Sequence, residues 1–174
     1  PKRDRIVNNE KISPVAIAQP KLFRQAIVER SCALWGNEIR VTSAHNLLNL
    51  PEHSQPLYRA QLKCAYRDAL SRIDPRMTAD FSHLTLASAQ PATHKFLRIE
   101  QSALMSEDTL KELIQVAHVL ESYKQQLVIS IENPLDALPG PTERRAMVRQ
   151  LYNLKDRSSI KLAYNNYTLD TKQA

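Results

Sequence analysis

LVISIEN, at residues 127–133, is an apolar and β-branched run interrupted by a single serine before its polar end. A strand that is covered on both faces of a parallel sheet has this composition. Two further strand-like runs, FLRIEQ at 96–101 and IKLAY at 160–164, start about thirty residues before and after it. This spacing leaves room for one crossover helix between each pair of strands. The three runs therefore predict an α/β fold with a parallel sheet.

The segments between these runs have helical patterns. In SEDTLKELIQVAHVLESY, at 106–123, Ser106 is the predicted N-cap, and two acidic residues follow in the first turn, where the helix dipole favours negative charge. In TERRAMVRQLYNL, at 142–154, Thr142 is the predicted cap of a second amphipathic helix. The resulting β-α-β-α-β order predicts that successive strands are parallel.

How the sheet continues is left open by the sequence. The chain ends soon after the third strand, and doubly wound and barrel folds differ in how the sheet extends beyond that point. An open parallel edge promotes unwanted strand pairing. We therefore expect further strands to come from outside this chain, from its irregular segments or from a partner. The chain begins without Met, which suggests a fragment of a longer protein.

The N-terminal half is less regular. Residues 1–20 are polar and aperiodic and predict a basic arm or linker, so the predicted α/β domain spans 21–174. The spacing of apolar residues over 21–33 predicts a short helix. ALWGNEIRVTS, at 33–43, predicts a hairpin around Gly36 and Asn37. Residues 81–93 are ambiguous between strand and loop.

One helix in this half is clearly indicated. LYRAQLKCAYRDALSRI, at 57–73, has apolar residues at three- and four-residue steps with basic residues between them. Ser54 and Pro56 can start this helix, because proline in the first turn loses no hydrogen bond. Asp74 and Pro75 are expected to end it.

Composition limits the classes of function. The chain has two glycines and neither GxGxxG nor GxxxxGK[ST], so the common nucleotide-binding loops are absent. Its formal charge is +6, with basic residues scattered apart from PKRDR at 1–5 and ERR at 143–145. The simpler interpretation of this charge is an ordinary basic surface. The more specific interpretation is a nucleic-acid or anionic-membrane partner. No segment approaches ~18 consecutive apolar residues and no secretory signal is visible, so a cytoplasmic location is predicted.

Cysteine and histidine patterns give no sign of a metal site. Cys32 and Cys64 are far apart without CxxC spacing, which predicts reduced and mostly buried thiols. The five histidines show neither HxxxH nor HxH spacing. We therefore expect no metal and no cofactor.

The order FLRIEQSAL, LVISIENPL, ERRAMVRQLYNL and IKLAYNNYTL resembles the middle of EAL-type cyclic-di-GMP phosphodiesterase domains. KLFRQAIVERSCALWGNEIRVTSAHNLL, at 21–48, stands where that family has an opening helix, an antiparallel strand pair and the signature Glu-Ala-Leu strand. The resemblance covers about residues 22–170 and is one of pattern and spacing with few identities. It implies an incomplete, TIM-barrel-like (β/α) fold.

The resemblance also implies a site that has lost its chemistry. The family holds two divalent metals with acidic and amide side chains at strand ends. Here SAHNLL, at 43–48, replaces the Glu-Ala-Leu signature, with Ala44 or His45 near the position of the glutamate. The family's asparagine, its metal-binding glutamate and its paired aspartates fall on Glu100, Ser130, Asn165 and Asn166. Because amides do not offset the charge of a metal, the resemblance implies an inactive domain.

Inactive domains of this kind are typically regulatory: they bind a protein partner, and some still bind cyclic-di-GMP. The contact surface is expected at the strand ends and the unpaired sheet edge, with Glu132, Tyr164, Tyr167, Arg144 and Arg145 as candidates. The function predicted first is therefore a non-catalytic interaction domain in a bacterial cytoplasm.

Two alternatives stay open. The first is a nucleic-acid-associated α/β protein that uses the basic arm and one helix face, with Lys2, Arg3, Arg5, Arg144, Arg145 and Arg149 as the contacts. The second is an enzyme of another α/β class built around Glu100 and Glu132, which end neighbouring predicted strands.

Overall fold

The computed structural model describes residues 17–45, 49–78, 93–132 and 140–165. The strands are β1 (Lys21–Val28), β2 (Leu34–Thr42), β3 (His94–Ile99), β4 (Gln126–Glu132) and β5 (Lys161–Asn165). The helices are α1 (Gln55–Ile73), α2 (Pro75–Thr78), α3 (Gln101–Leu104), α4 (Glu107–Ser122) and α5 (Pro141–Arg157), with a short 3-10 turn at Glu52–Ser54 before α1. Within these ranges no helix combines the length and the apolar character that crossing a membrane requires.

The five strands form one mixed sheet in chain order, β1-β2-β3-β4-β5. β1 is antiparallel to β2, whereas β2, β3, β4 and β5 are parallel to one another. The α/β class and the parallel pairing of the last three strands are therefore confirmed. Each parallel connection carries a helix, as a crossover of this kind requires.

The helices α1, α4 and α5 pack against the same face of the sheet. Alternate strand residues, among them Leu97, Ile129 and Ile131, join helix residues such as Leu113 and Met147 in one hydrophobic core. The residues between them point to the opposite side, because successive side chains of a strand alternate. We call that side the polar face; by register it includes Glu38, Arg40, Phe96, Arg98, Val128 and Ser130.

Local signals explain where the helices begin and end. Ser106 caps α4 as predicted, since its Oγ accepts a hydrogen bond from the backbone N–H of Thr109 at 3.5 Å. Asp74 ends α1, and its carboxylate pairs with Arg76 at 2.7 Å. The hydrogen bond from the Arg76 side chain is the main reason that the pKa of Asp74 lies below its ordinary value.

The predicted Thr142 cap of α5 is wrong. The helix begins at Pro141 and its N-cap is Gly140. Proline fits the first helical position because its φ is already helical and its missing N–H would have no partner there.

The predicted helix over 21–33 and the predicted hairpin around Gly36 are also wrong. Residues 21–28 form the edge strand β1, and Gly36 and Asn37 lie inside β2. The hairpin turn is earlier: the N–H of Glu29 donates to the carbonyl of Ala33, and the N–H of Cys32 donates to the carbonyl of Glu29, both at 2.9 Å. Cys32 adopts φ 64°, a left-handed conformation that is uncommon for a residue with a side chain.

Both cysteines are exposed, so the prediction of mostly buried thiols is wrong. Cys32 lies in the β1–β2 turn. Cys64 lies on the side of α1 away from the buried residues Leu62 and Tyr66. A thiol at either position contacts solvent and does not contribute to the core.

Gly36 is required by close packing, and we expect Gly36→Ala to destabilise the fold by about 1–3 kcal/mol. A Cβ at this position would lie 2.9 Å from the carbonyl oxygen of His94 and 3.0 Å from Phe96, and the backbone of β3 cannot retreat without disturbing the sheet. Gly140→Ser is the control, because its Cβ would meet only the flexible end of Glu143 at 2.8 Å and serine is a preferred residue at this N-cap position. Urea unfolding of both variants measures the difference, and equal losses would contradict this explanation.

Candidate functional site

The carboxyl ends of the parallel strands bring three predicted site residues to one edge of the sheet. In the register of β4 and β5, Glu132 lies opposite Asn165. In the register of β3 and β4, Ile99 lies opposite Ile131, so Glu100 follows at the same edge. The backbones of Glu100, Glu132 and Asn165 are therefore neighbours, as predicted for residues that end adjacent strands. Asn166 and Tyr167 lie outside the described residues.

Ser130 lies inside the sheet, two residues before Glu132 along β4. It is 3% exposed and stands between Arg98 of β3 and Ala163 of β5 in the register. Ser130 and Arg98 share the polar face, because directly paired residues point to the same side. The position that the EAL resemblance assigns to a metal-binding glutamate therefore holds a buried serine, whose register partner on β3 is Arg98.

A partly buried ion pair occupies the polar face next to Ser130. Arg98 Nε donates to Glu38 Oε1 at 3.0 Å, and the side chains of Arg98 and Glu38 are 23% and 11% exposed. A carboxylate at this depth needs a partner, because losing its hydration is costly. Glu38 is thereby committed to Arg98. Sequence reasoning missed this pair; the available signal was the alternation of charged and apolar residues in NEIRV, at 37–41.

A small cavity of about 120 Å³ lies at the carboxyl ends of β2 and β3. It is lined by Arg40, Val41, Thr42, Ser43, Arg98, Ile99 and Glu100. Two arginines, two residues with hydroxyl groups and one glutamate are therefore among its lining residues. Guanidinium groups suit carboxylate or phosphate oxygens, whereas hard divalent cations require several oxygen ligands of negative charge.

Two tyrosines of α1 fix the surroundings of Glu100. Its backbone N–H donates to Tyr66 Oη at 2.8 Å, and Ser102 Oγ donates to its Oε2 at 3.4 Å. Tyr58 Oη donates to the carbonyl of His45 at 2.9 Å. Burial raises the pKa of Tyr58, and the negative charge of Glu100 raises it further, so this phenol is neutral at pH 7. Hydrogen bonds from the backbone N–H of Glu100 to Tyr66 and from Ser102 to its carboxylate therefore fix the position of Glu100.

The candidate contact residues lie at different places on the sheet. Tyr164 is 47% exposed and lies on the helix-covered side, because its register partner is the core residue Ile131. Glu132 is the last residue of β4. Arg144 and Arg145 are exposed near the start of α5, at the same edge as the carboxyl ends of the strands.

A groove runs along the outer edge of the sheet, between α5 and β5. Its volume is about 540 Å³. We call it the edge groove; its lining consists of Val148, Leu151, Tyr152, Lys155, Ile160, Lys161, Leu162 and Tyr164. Tyr152 is 63% exposed, and Val148 is also exposed. Within the described residues, β5 is the last strand of the sheet, so its outer backbone groups pair with no strand there.

The histidines whose contacts are described take part in packing and local hydrogen bonds. His94 stacks on Trp35 with ring centroids 4.2 Å apart, and His45 Nε2 accepts a hydrogen bond from the N–H of Ala18 at 3.0 Å. Over the described ranges, no group of three His, Cys, Asp or Glu side chains could hold a metal ion.

A scan against models of known protein families finds no match for this chain, and a search of curated proteins also finds none. The resemblance to EAL domains therefore stays a prediction from sequence pattern. The residues and geometry of the sheet edge are the basis for inferring a function.

Proposed function

We propose that this chain is a non-catalytic, EAL-like interaction domain that acts in a bacterial cytoplasm through contacts with a protein partner. The architecture supports the barrel-like interpretation over the doubly wound one. Doubly wound sheets carry helices on both faces, whereas the three long helices of the described ranges, α1, α4 and α5, share one face and the described strands follow in chain order. Consecutive parallel strands with all helices outside are the arrangement of a (β/α) barrel. The antiparallel β1–β2 pair is of the kind that the resemblance implies, but β1 occupies positions where the resemblance implies the opening helix.

The observation that carries the non-catalytic part is the pairing of Ser130 with Arg98. A divalent cation at this position would find a hydroxyl, with a cationic residue at the paired position of β3, where a metal site needs carboxylates. Glu38, a carboxylate of the polar face, is already paired with Arg98 at 3.0 Å. These contacts support the loss of two-metal catalysis.

Purified protein is expected to show no hydrolysis of cyclic-di-GMP with either Mg²⁺ or Mn²⁺. The Asn165→Asp, Asn166→Asp double variant is expected to stay inactive, because Ser130 and Arg98 still leave the metals without support. Product formation is measured by chromatography, with an active EAL enzyme as positive control. Turnover that EDTA abolishes would contradict the proposal.

Cyclic-di-GMP binding without hydrolysis is compatible with this proposal. Arg40 and Arg98 line the cavity at the strand ends, and guanidinium groups contact phosphate without a metal. Any binding detected by isothermal titration should therefore have the same affinity with and without Mg²⁺. An affinity that requires Mg²⁺ would indicate a working metal site.

The exposure of Arg144, Arg145 and Arg149 on α5 favours a second candidate function, contact with nucleic acid. Phosphate binding by these side chains would weaken steeply with salt, because bound counterions are released. Fluorescence anisotropy with short DNA and RNA at 50 and 200 mM salt tests this candidate. Absence of binding at the lower salt concentration would exclude it.

A further inference from the structure

The edge groove offers both parts of a strand-binding site. Its floor is apolar, with Leu151, Ile160 and Leu162 beneath the exposed rings of Tyr152 and Tyr164. Its inner wall is β5, whose outer backbone N–H and C=O groups pair with no strand of the described ranges. An exposed sheet edge of this kind can accept an extended peptide through main-chain hydrogen bonds, while pockets beside it select alternate side chains.

The charge of the groove selects the partner. Lys155 and Lys161 are among its lining residues, and none of the eight lining residues that the structure describes is acidic. Lys161 lies by register on the polar face, where it would meet the carboxylates of an added strand, and Lys155 adds positive charge on the side of α5. A second copy of this chain would bring the same two lysines to the contact, and each copy already carries a formal charge of +6. Charge complementarity therefore favours a partner that presents carboxylates.

We propose that the edge groove binds an extended acidic segment of another protein, which adds to β5 as the next strand of the sheet. This inference rests on the proposed interaction function and names the chemistry of the partner. Every second side chain of the segment would be apolar and lie in the groove with Leu162 and Tyr164. The side chains between them would point to the other side of the sheet, where Lys161 lies by register opposite Val128.

The length of the partner segment follows from β5. Five residues at about 3.3 Å each give an edge of about 17 Å, which accommodates five or six residues of a partner strand. A probe of ten residues therefore covers the edge and leaves both ends free.

The test uses three fluorescein-labelled ten-residue peptides and the full chain. The first alternates Glu and Val, the second alternates Lys and Val, and the third is the first with proline at one central position. Fluorescence anisotropy is expected to show at least about tenfold tighter binding of the Glu/Val peptide than of the other two. The Lys/Val peptide lacks charge complementarity, and proline removes a main-chain donor and breaks the strand.

Charge-reversal variants distinguish binding at the edge groove from nonspecific attraction to the net positive charge of the protein. The Lys155→Glu, Lys161→Glu double variant should bind the Glu/Val peptide at least about tenfold more weakly than the unchanged protein does. The matched control is Arg59→Glu with Lys111→Glu, which makes the same change in net charge at exposed positions of α1 and α4 outside the groove lining and should change the affinity by less than about threefold. Circular dichroism melting establishes that each variant is folded.

Three results would overturn the inference: equal binding of the Glu/Val and Lys/Val peptides, equal effects of the two double variants, or no binding of the Glu/Val peptide. Sedimentation equilibrium tests the rival occupant. A dimer that Tyr164→Asp dissociates would assign the groove to a second copy. The peptide experiments test only the edge groove. Hydrolysis of cyclic-di-GMP would refute the non-catalytic proposal whether or not the peptides bind.

Discussion

Replacing Ile129 by alanine is expected to lower the free energy of unfolding by about 2–5 kcal/mol. Ile129 has 0% exposure and lies in β4, between β3 and β5, within the core that the helices cover. Truncation removes apolar contacts and leaves a cavity that the sheet cannot close, because strands on both sides fix its backbone. Urea unfolding followed by circular dichroism gives the change directly.

Two variants calibrate this expectation. Ile129→Val removes a single methylene and should cost about 0.5–1.5 kcal/mol. Leu57→Ala, at an exposed position near the start of α1, should change stability by no more than about 0.5 kcal/mol. If Ile129→Ala lowers the free energy of unfolding no more than Leu57→Ala does, β4 is not buried as described.

Removing the guanidinium of Arg98 is expected to give the second large effect. Arg98→Met leaves the carboxylate of Glu38, which is 11% exposed, without its 3.0 Å partner. Breaking a buried ion pair from one side costs about 3–5 kcal/mol, and partial exposure of this pair places the expected loss at about 2–4 kcal/mol. Thermal and urea unfolding at pH 7 measure it.

A double variant identifies the cause of that loss. Glu38→Gln combined with Arg98→Met removes the unpaired charge and should recover at least about half of the lost stability. The pair formed by Arg72 and Asp68 on α1 is the exposed control, since 60% and 51% of its two side chains are accessible. Arg72→Met should therefore cost less than about 1 kcal/mol. Equal losses of stability in Arg98→Met and Arg72→Met would contradict the explanation that burial makes the Arg98–Glu38 pair costly to break.

The C-terminal half is predictable because its local signals agree with one another. The strand runs around Ile129 are bounded by helices with strong apolar periodicity, and Ser106 marks a helix start in both sequence and structure. Parallel pairing then follows from chain connectivity, because a strand–helix–strand unit has few other ways to form one sheet.

The N-terminal half is predicted wrongly because its signals conflict. Leu22, Ala26 and Ile27 fit a helical period, yet residues 21–28 pair with β2; short apolar runs do not distinguish helix from strand by periodicity alone. Gly36 resembles a turn residue but is needed for the close approach of β3. The polar residues Arg30 and Ser31, between two apolar runs, are the better indication of the turn.

The candidate site is predictable only as far as strand order determines it. The positions of Glu100, Glu132 and Asn165 at one edge follow from their places at strand ends. The Arg98–Glu38 pair joins residues sixty positions apart and depends on the register between β2 and β3, which no local pattern determines. The edge groove depends on how α5 lies against β5, and that too is a tertiary property.

The chain order of the strands has a consequence for how the protein assembles. In the described sheet, each strand pairs only with strands that are adjacent to it in sequence. The β1–β2 hairpin and each later strand can therefore dock as soon as they have been synthesised, without waiting for a distant segment to thread between them. Such a topology suits folding during translation, in which each strand–helix unit adds to a template that already exists.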